Sequence, residues 1–198
     1  MPLRGVPAPT RVLPAGVVKL ALGYHRIRFR WNVTDPRFSA AGDGAARVAF
    51  PDSARLDFIA GGPFGGSGRA LLFDDTLVAP GGGGTRRYLP ATPFLWAALG
   101  RLAVPTATDT TVRIDGDTLW ADFGPPFPSD GTVWRASFAA GELTGLARLS
   151  GGRVRETVVR DVERGRIQYK NAGAHRSLTL TQVRSEAVTA FDSTVWHP

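Results

Sequence analysis

Residues 25–34 read HRIRFRWNVT. Ile27, Phe29, Trp31 and Val33 alternate with Arg26, Arg28, Arg30 and Asn32. Successive side chains of a strand point to opposite faces. This segment therefore carries two aromatic rings on an apolar face and a row of guanidinium groups on the other. The alternation recurs, more weakly, almost to the C-terminus. It describes a mainly β protein, a large antiparallel sheet with one apolar side to cover.

The 198 residues suit one domain, with residues 1–13 as a flexible lead and residues 14–198 as a single folded unit. At 43% hydrophobic residues the chain has enough apolar surface for a core. Its 24 glycines and 15 prolines are dispersed, as many short strands joined by turns require. The formal charge is +7, and all but two of the basic residues, Lys19 and Lys170, are arginine. They are spread over nearly every strand, which reads as a solvated outer face before it reads as a binding patch. The absence of cysteine excludes disulfides, thiol catalysis and cysteine-based metal sites. The start, MPLRGVPAPTRVLPAG, has no apolar signal-peptide core. That fits a cytosolic N-terminus and a mature region cut from a targeting segment alike. No apolar run approaches the ~20 residues of a membrane-spanning helix.

Residues 14–24, PAGVVKLALGY, suit a short helix with Pro14 at its start and Gly23 near its end. Strands follow at 26–34, 37–50 and 54–60, with a bulge expected around Gly42 and Gly44. The tract 61–68, GGPFGGSG, is a loop in which Phe64 stands alone among small residues. Strands at 69–74 and 76–79 flank a turn at Asp74 and Asp75, and a second glycine-rich tract covers 80–85. Within residues 92–102, TPFLWAALGRL, the apolar residues Phe94, Leu95, Ala98, Leu99 and Leu102 recur at helical spacing. Thr92 suits its N-cap and Pro93 its first helical position. Further strands at 111–114, 117–123, 132–139, 142–149, 153–162, 164–170 and 175–184 are joined by tight turns into a meander of about eleven strands.

A sheet this wide curls, and two short helices are the only material available to cover it. The expected architecture is a strongly curved antiparallel sheet, an open half-barrel, with a short N-terminal helix and a short lid helix across its mouth. Phe29, Trp31, Phe58, Leu72, Leu119, Trp134 and Phe138 are placed on the concave face, with Leu95 and Leu99 on the underside of the lid. If the hollow stays partly unfilled, it is a site for a lipid or small molecule. If side chains fill it, nothing binds there. The pattern of residues leaves both open.

Catalytic signatures are missing. His25, His175 and His197 do not stand at metal-ligand spacing. Asp74, Asp75, Asp115 and Asp117 occupy turn positions, where aspartate is favoured for local backbone hydrogen bonds. The glycine tracts lack the Gly-Lys-Ser/Thr ending of a phosphate loop, and neither Ser67 nor Ser150 sits in a nucleophile elbow. No catalytic residue, metal or cofactor is expected, and the chain reads as a non-enzyme. Nucleic acid is not an expected partner: a single-strand groove needs aromatic and basic groups on one face, and residues 25–34 place them on opposite faces.

The order of elements resembles that of the LolA/LolB-like bacterial lipoprotein carriers and outer-membrane lipoprotein receptors. The matching features are a leading helix, RIRFRWNV (26–33), GDGAARVAFPDSARLDF (42–58), a glycine loop, GRALLFDDTLV (68–78), the lid-like PFLWAALGRL (93–102) and a closing SLTLTQV (177–183). The similarity spans residues 14–196 and rests on element order. It implies an open half-barrel with helical lids that holds lipoprotein acyl chains without catalysis. It also implies a location in the periplasm or at the inner face of the outer membrane. In the receptor branch a hydrophobic residue protrudes from the loop that Phe64 occupies here, which implies a membrane-facing role for Phe64. Leaving a phenylalanine exposed costs ~1.5–3 kcal/mol relative to burying it. A receptor's acylated N-terminal cysteine has no counterpart in this sequence.

The expected function is a non-catalytic lipid- or lipoprotein-binding protein of the bacterial envelope. Its partners would be acyl chains, a membrane surface and possible envelope proteins. The alternative is an accessory subunit that uses the same sheet, its hollow filled, as a docking scaffold on a membrane-associated complex.

Overall fold

The computed structural model describes residues 3–13, 23–61, 65–80, 86, 88–105, 109–125 and 131–197. Thirteen strands among them form one antiparallel sheet. They are β1 (Val6–Ala8), β2 (Gly23–Asp35), β3 (Phe38–Phe50), β4 (Ser53–Ala60), β5 (Ser67–Phe73) and β6 (Thr76–Val78), then β7 (Thr110–Asp115), β8 (Thr118–Phe123), β9 (Thr132–Ala139), β10 (Glu142–Ser150), β11 (Arg153–Asp161), β12 (Arg166–Asn171) and β13 (Arg176–Val188). The helix α1 (Thr92–Leu99) interrupts them between β6 and β7. The spatial order is β1-β7-β8-β9-β10-β11-β12-β13-β2-β3-β4-β5-β6. Two meanders, β2–β6 and β7–β13, are thus spliced where β13 pairs along β2, from Ser177 opposite Thr34 to Val188 opposite Tyr24. The sheet is not closed: its edges are the three-residue strands β1 and β6, short enough to discourage pairing with other chains.

Residues 14–22 of the expected N-terminal helix lie outside the described residues. Gly23 and Tyr24, placed at its end from sequence, instead open β2 and pair with Phe50 and Ala49. Val6–Ala8, within the expected lead, pairs with β7 as an edge strand.

The curvature follows from what α1 touches. Phe94 lies 5.3 Å, ring to ring, from Trp134 on β9. Two residues on, Trp96 Nε1 donates to the Asp74 carbonyl, just past β5, at 2.5 Å. Strands β9 and β5 are eight places apart in the sheet, about 38 Å on a flat surface at about 4.8 Å per strand. A helix of eight residues is about 12 Å long. Both contacts can exist only because the sheet wraps around the helix.

That helix begins one residue earlier than the sequence pattern indicates, with Ala91 as N-cap and Thr92 and Pro93 in its first turn. It ends at Leu99 because Gly100 turns left-handed (φ 94°), with Gly100 N–H donating to the Ala97 carbonyl and Arg101 N–H to the Trp96 carbonyl. These bonds satisfy the last carbonyls in a Schellman arrangement. Phe94 to Leu99 are all buried. A helix apolar on every side belongs inside a core, so α1 is a plug seated in the concavity, where an amphipathic lid was expected.

No bulge occurs at Gly42 and Gly44. β3 runs in continuous register, with Gly44 opposite both Phe29 and Phe58 and Gly42 opposite Trp31. A Cβ on Gly44 would collide with the ring of Phe29. Glycine there is a seat for an aromatic ring on the next strand, and the register slips instead near Gly145, Leu149 and Arg184. On the convex face several arginines are paired. Asp57 accepts from Arg47 (2.6 Å), Arg55 (2.9 Å) and Arg69 (3.3 Å), and Arg135 grips Asp122 with two bonds of 2.7 and 2.8 Å.

Candidate functional site

The plug does not fill the whole concavity. Beside it lies an open hollow of about 340 Å³. Trp31 and Val33 of β2, Phe38 and Ala40 of β3, Phe58 and Ala60 of β4, and Leu178 of β13 form its floor. Tyr88 and Leu89, just ahead of α1, form one wall, and residues 66–68 the other. The strand pattern explains the floor: these β2, β3 and β4 residues alternate onto one face, and the register sets Val33 between Ala40 and Leu178. Small residues on β3 leave depth, while Phe58 stacks edge-on against both Phe29 (5.7 Å) and Trp31 (6.0 Å). Trp31 Nε1 donates to the Asp43 carbonyl at 3.0 Å, so the indole exposes apolar surface with its polar atom already satisfied.

Of the residues placed on the concave face from sequence, Trp31 and Phe58 line this hollow and Phe29 lies against Phe58 beside it. Leu72 and Phe138 are packed in the core, and Leu95 and Leu99 are buried on α1. Half-buried Trp134 packs against Phe94, and half-buried Leu119 sits opposite Phe138. Phe64 lies outside the described residues. The concave-face set read from sequence did not include Val33, although it stood on the apolar face of residues 25–34, nor Phe38, Ala40, Ala60, Tyr88, Leu89 or Leu178. Alternation alone contains the strand residues, whereas Tyr88 and Leu89 follow a glycine tract with no periodicity.

Two polar clusters frame the core. Glu156, 6% exposed, accepts from Tyr169 Oη (2.5 Å) and Asn171 Nδ2 (3.0 Å), and pairs with Arg148 Nη2 (2.5 Å). Burial, then the bond to Glu156, pushes the Tyr169 phenol above its usual range, so it stays a donor. The Tyr169 ring also rests 5.6 Å from Phe94, tying this cluster to the plug. The second cluster lies at the rim of the hollow. Arg176 holds Asp35 with bonds of 2.9 and 2.7 Å and lies 5.1 Å above the ring of Tyr88. The bond from Arg176 holds the Asp35 carboxyl below the ordinary carboxylate range, burial opposing and the Arg37 backbone N–H assisting. Among the described residues, no three acidic or histidine side chains gather to hold a metal ion.

The Asp35 pair makes a pH prediction. Its folded pKa lies below the unfolded value of about 3.9, so the pair stabilises fully above that pH and the contribution is lost as pH falls through the folded value. Asp35→Asn should lower the Tm at neutral pH and flatten its decline under acid, read by thermal unfolding across the acid range. Equal acid sensitivity in both proteins would contradict this.

The sequence matches no protein-family model and no curated protein. Solved structures match by shape. A LolA superfamily protein from Nitrosomonas europaea aligns over 96% of this chain and 98% of its own at 10% identity, TM-score 0.58. A domain from Vibrio parahaemolyticus, described as an outer membrane lipoprotein-sorting protein domain, aligns over 90% and 91% at 9% identity, TM-score 0.56. The fold is LolA-like. A DUF1329 family protein from Desulfovibrio piger is also similar, over 90% and 91% at 6% identity, TM-score 0.52. Identities this low speak to the LolA-like architecture alone, so the chemistry of the hollow has to be argued from its own residues.

Proposed function

We propose that this chain is a non-catalytic carrier that shelters acyl chains of lipids or lipoproteins in the bacterial cell envelope. The observation that carries the reading is the open hollow floored by Trp31, Val33, Phe38, Phe58 and Leu178 beside a core that is otherwise packed. Exposed apolar concavity is costly to leave in water, and each methylene that enters contributes ~0.8 kcal/mol. The LolA-like fold supports the choice of ligand, because a neighbour of the same architecture is described as sorting lipoproteins. A site in the periplasm or at the inner face of the outer membrane follows from the same reading. So do contact with a membrane surface, through Phe64 and the arginine-bearing convex face, and exchange with an envelope partner protein.

The buried plug favours a second reading. Phe94 and Trp96 are fully buried, so most of the concavity is occupied by the protein itself, as a docking scaffold would require. Native mass spectrometry separates the two. After incubation with acylated lipid, the wild type should carry one lipid mass. Ala60→Trp, which puts a ring into the hollow, should carry none while keeping its β spectrum. A wild type that stays ligand-free would remove the carrier reading.

A further inference from the structure

The hollow has a polar neighbour. A second depression, of about 370 Å³, is lined by Asp35, Pro36, Arg37, Tyr88, Ala174 and Arg176. Tyr88 lines both, so one tyrosine ring divides an apolar chamber from a charged one. Its apolar side is fixed by Phe38, 4.6 Å away and edge-on, and its other side lies under the Arg176 guanidinium.

The charges in the second depression do not cancel. Asp35 is taken up by Arg176. Arg37, exposed on the β2–β3 turn, gives its backbone N–H to Asp35, and its guanidinium forms no ion pair among the described residues. Two guanidiniums against one carboxylate leave a net positive charge, and the exposed Arg37 guanidinium has the planar fork that suits carboxylate or phosphate. The apolar chamber bounds the rest of the ligand. Its lining is mostly apolar and its volume, about 340 Å³, lies in the range of small-ligand pockets, so it suits an alkyl chain.

Resting on the carrier reading, we propose that the preferred ligand is an amphiphile with an anionic head. Its alkyl chain lies over Trp31 and Phe58, and its headgroup lies past Tyr88 against Arg37. The amphiphile crosses the Tyr88 ring where the two depressions meet. Arg176 shapes the head site but remains committed to Asp35.

The test is a titration of the full chain with four probes of equal chain length, each below its micelle threshold: dodecanoate, dodecyl phosphate, dodecanol and dodecyltrimethylammonium. Both anions should bind more tightly than the alcohol, and the cation least. Arg37→Ala should weaken the anions by about two- to five-fold, the range of an exposed ion pair, and leave dodecanol unchanged. Arg37→Lys should restore only part of the loss, since it returns the charge without the planar fork. The stronger of the two anions distinguishes a fatty-acid head from a phospholipid-type head. Equal binding of all four probes would overturn the headgroup site while leaving the carrier reading intact. Binding of none would overturn both. Circular dichroism of each variant checks that the exposed turn substitution leaves the fold unchanged.

Discussion

Trp96→Ala is expected to cost about 3–5 kcal/mol of folding stability, the range for truncating a fully buried aromatic residue. Trp96 has no exposed surface, packs 6.5 Å from Phe50, lies under Arg101 at 4.5 Å and donates its indole N–H to the Asp74 carbonyl. The substitution empties a space between α1 and the β2–β6 wing of the sheet and leaves that carbonyl without its partner. Urea unfolding reads the effect as a lower midpoint. The size of the loss also decides what α1 does. A fixed plug makes Trp96 part of the cooperative core. A lid that swings away would give a loss below about 1 kcal/mol, as for a surface change.

The second large effect is at Glu156. Removing it with alanine leaves the Tyr169 hydroxyl without its acceptor and the Arg148 guanidinium unpaired beside the core. Breaking a fully buried pair costs about 3–5 kcal/mol. Arg148 is 40% exposed, so about 2–4 kcal/mol is expected here. Replacing Glu156 and Arg148 together by Leu and Met should recover much of the loss, since a matched apolar pair avoids the orphaned charge. In that background Tyr169→Phe should no longer destabilise, although in the wild type it should. Independent, additive effects would show that these groups do not form one network.

Much of this was legible from alternation. Residues 25–34 announced a strand with one apolar face, and β2 is the strand on which both meanders meet. The meeting itself was not legible. Pairing of β2 with β13 joins residues about 150 positions apart, and no local pattern encodes it. Nor could spacing tell a plug from a lid. Residues 94–99 contain no polar side chain, so a helical stripe and a helix buried all round look alike. Gly42 and Gly44 were readable as special positions, but their reason lies on neighbouring strands: the Phe29 ring occupies the place of a Gly44 Cβ, and the β4 backbone at Ile59 crowds Gly42. For the same reason the hollow was only half visible. Trp31 and Phe58 stood out as aromatic, while Ala40 and Ala60 matter by being small, and Tyr88 is brought in by a loop.

The most direct measurement is a crystal structure of the protein with 12-bromododecanoate, located by the anomalous signal of bromine. The expected result is one bromine peak per chain in the hollow between Trp31 and Phe58, with α1 still seated in the core. A hollow closed by the protein's own side chains, with bromine elsewhere or absent, would contradict the claim that this sheet keeps a vacancy for an acyl chain.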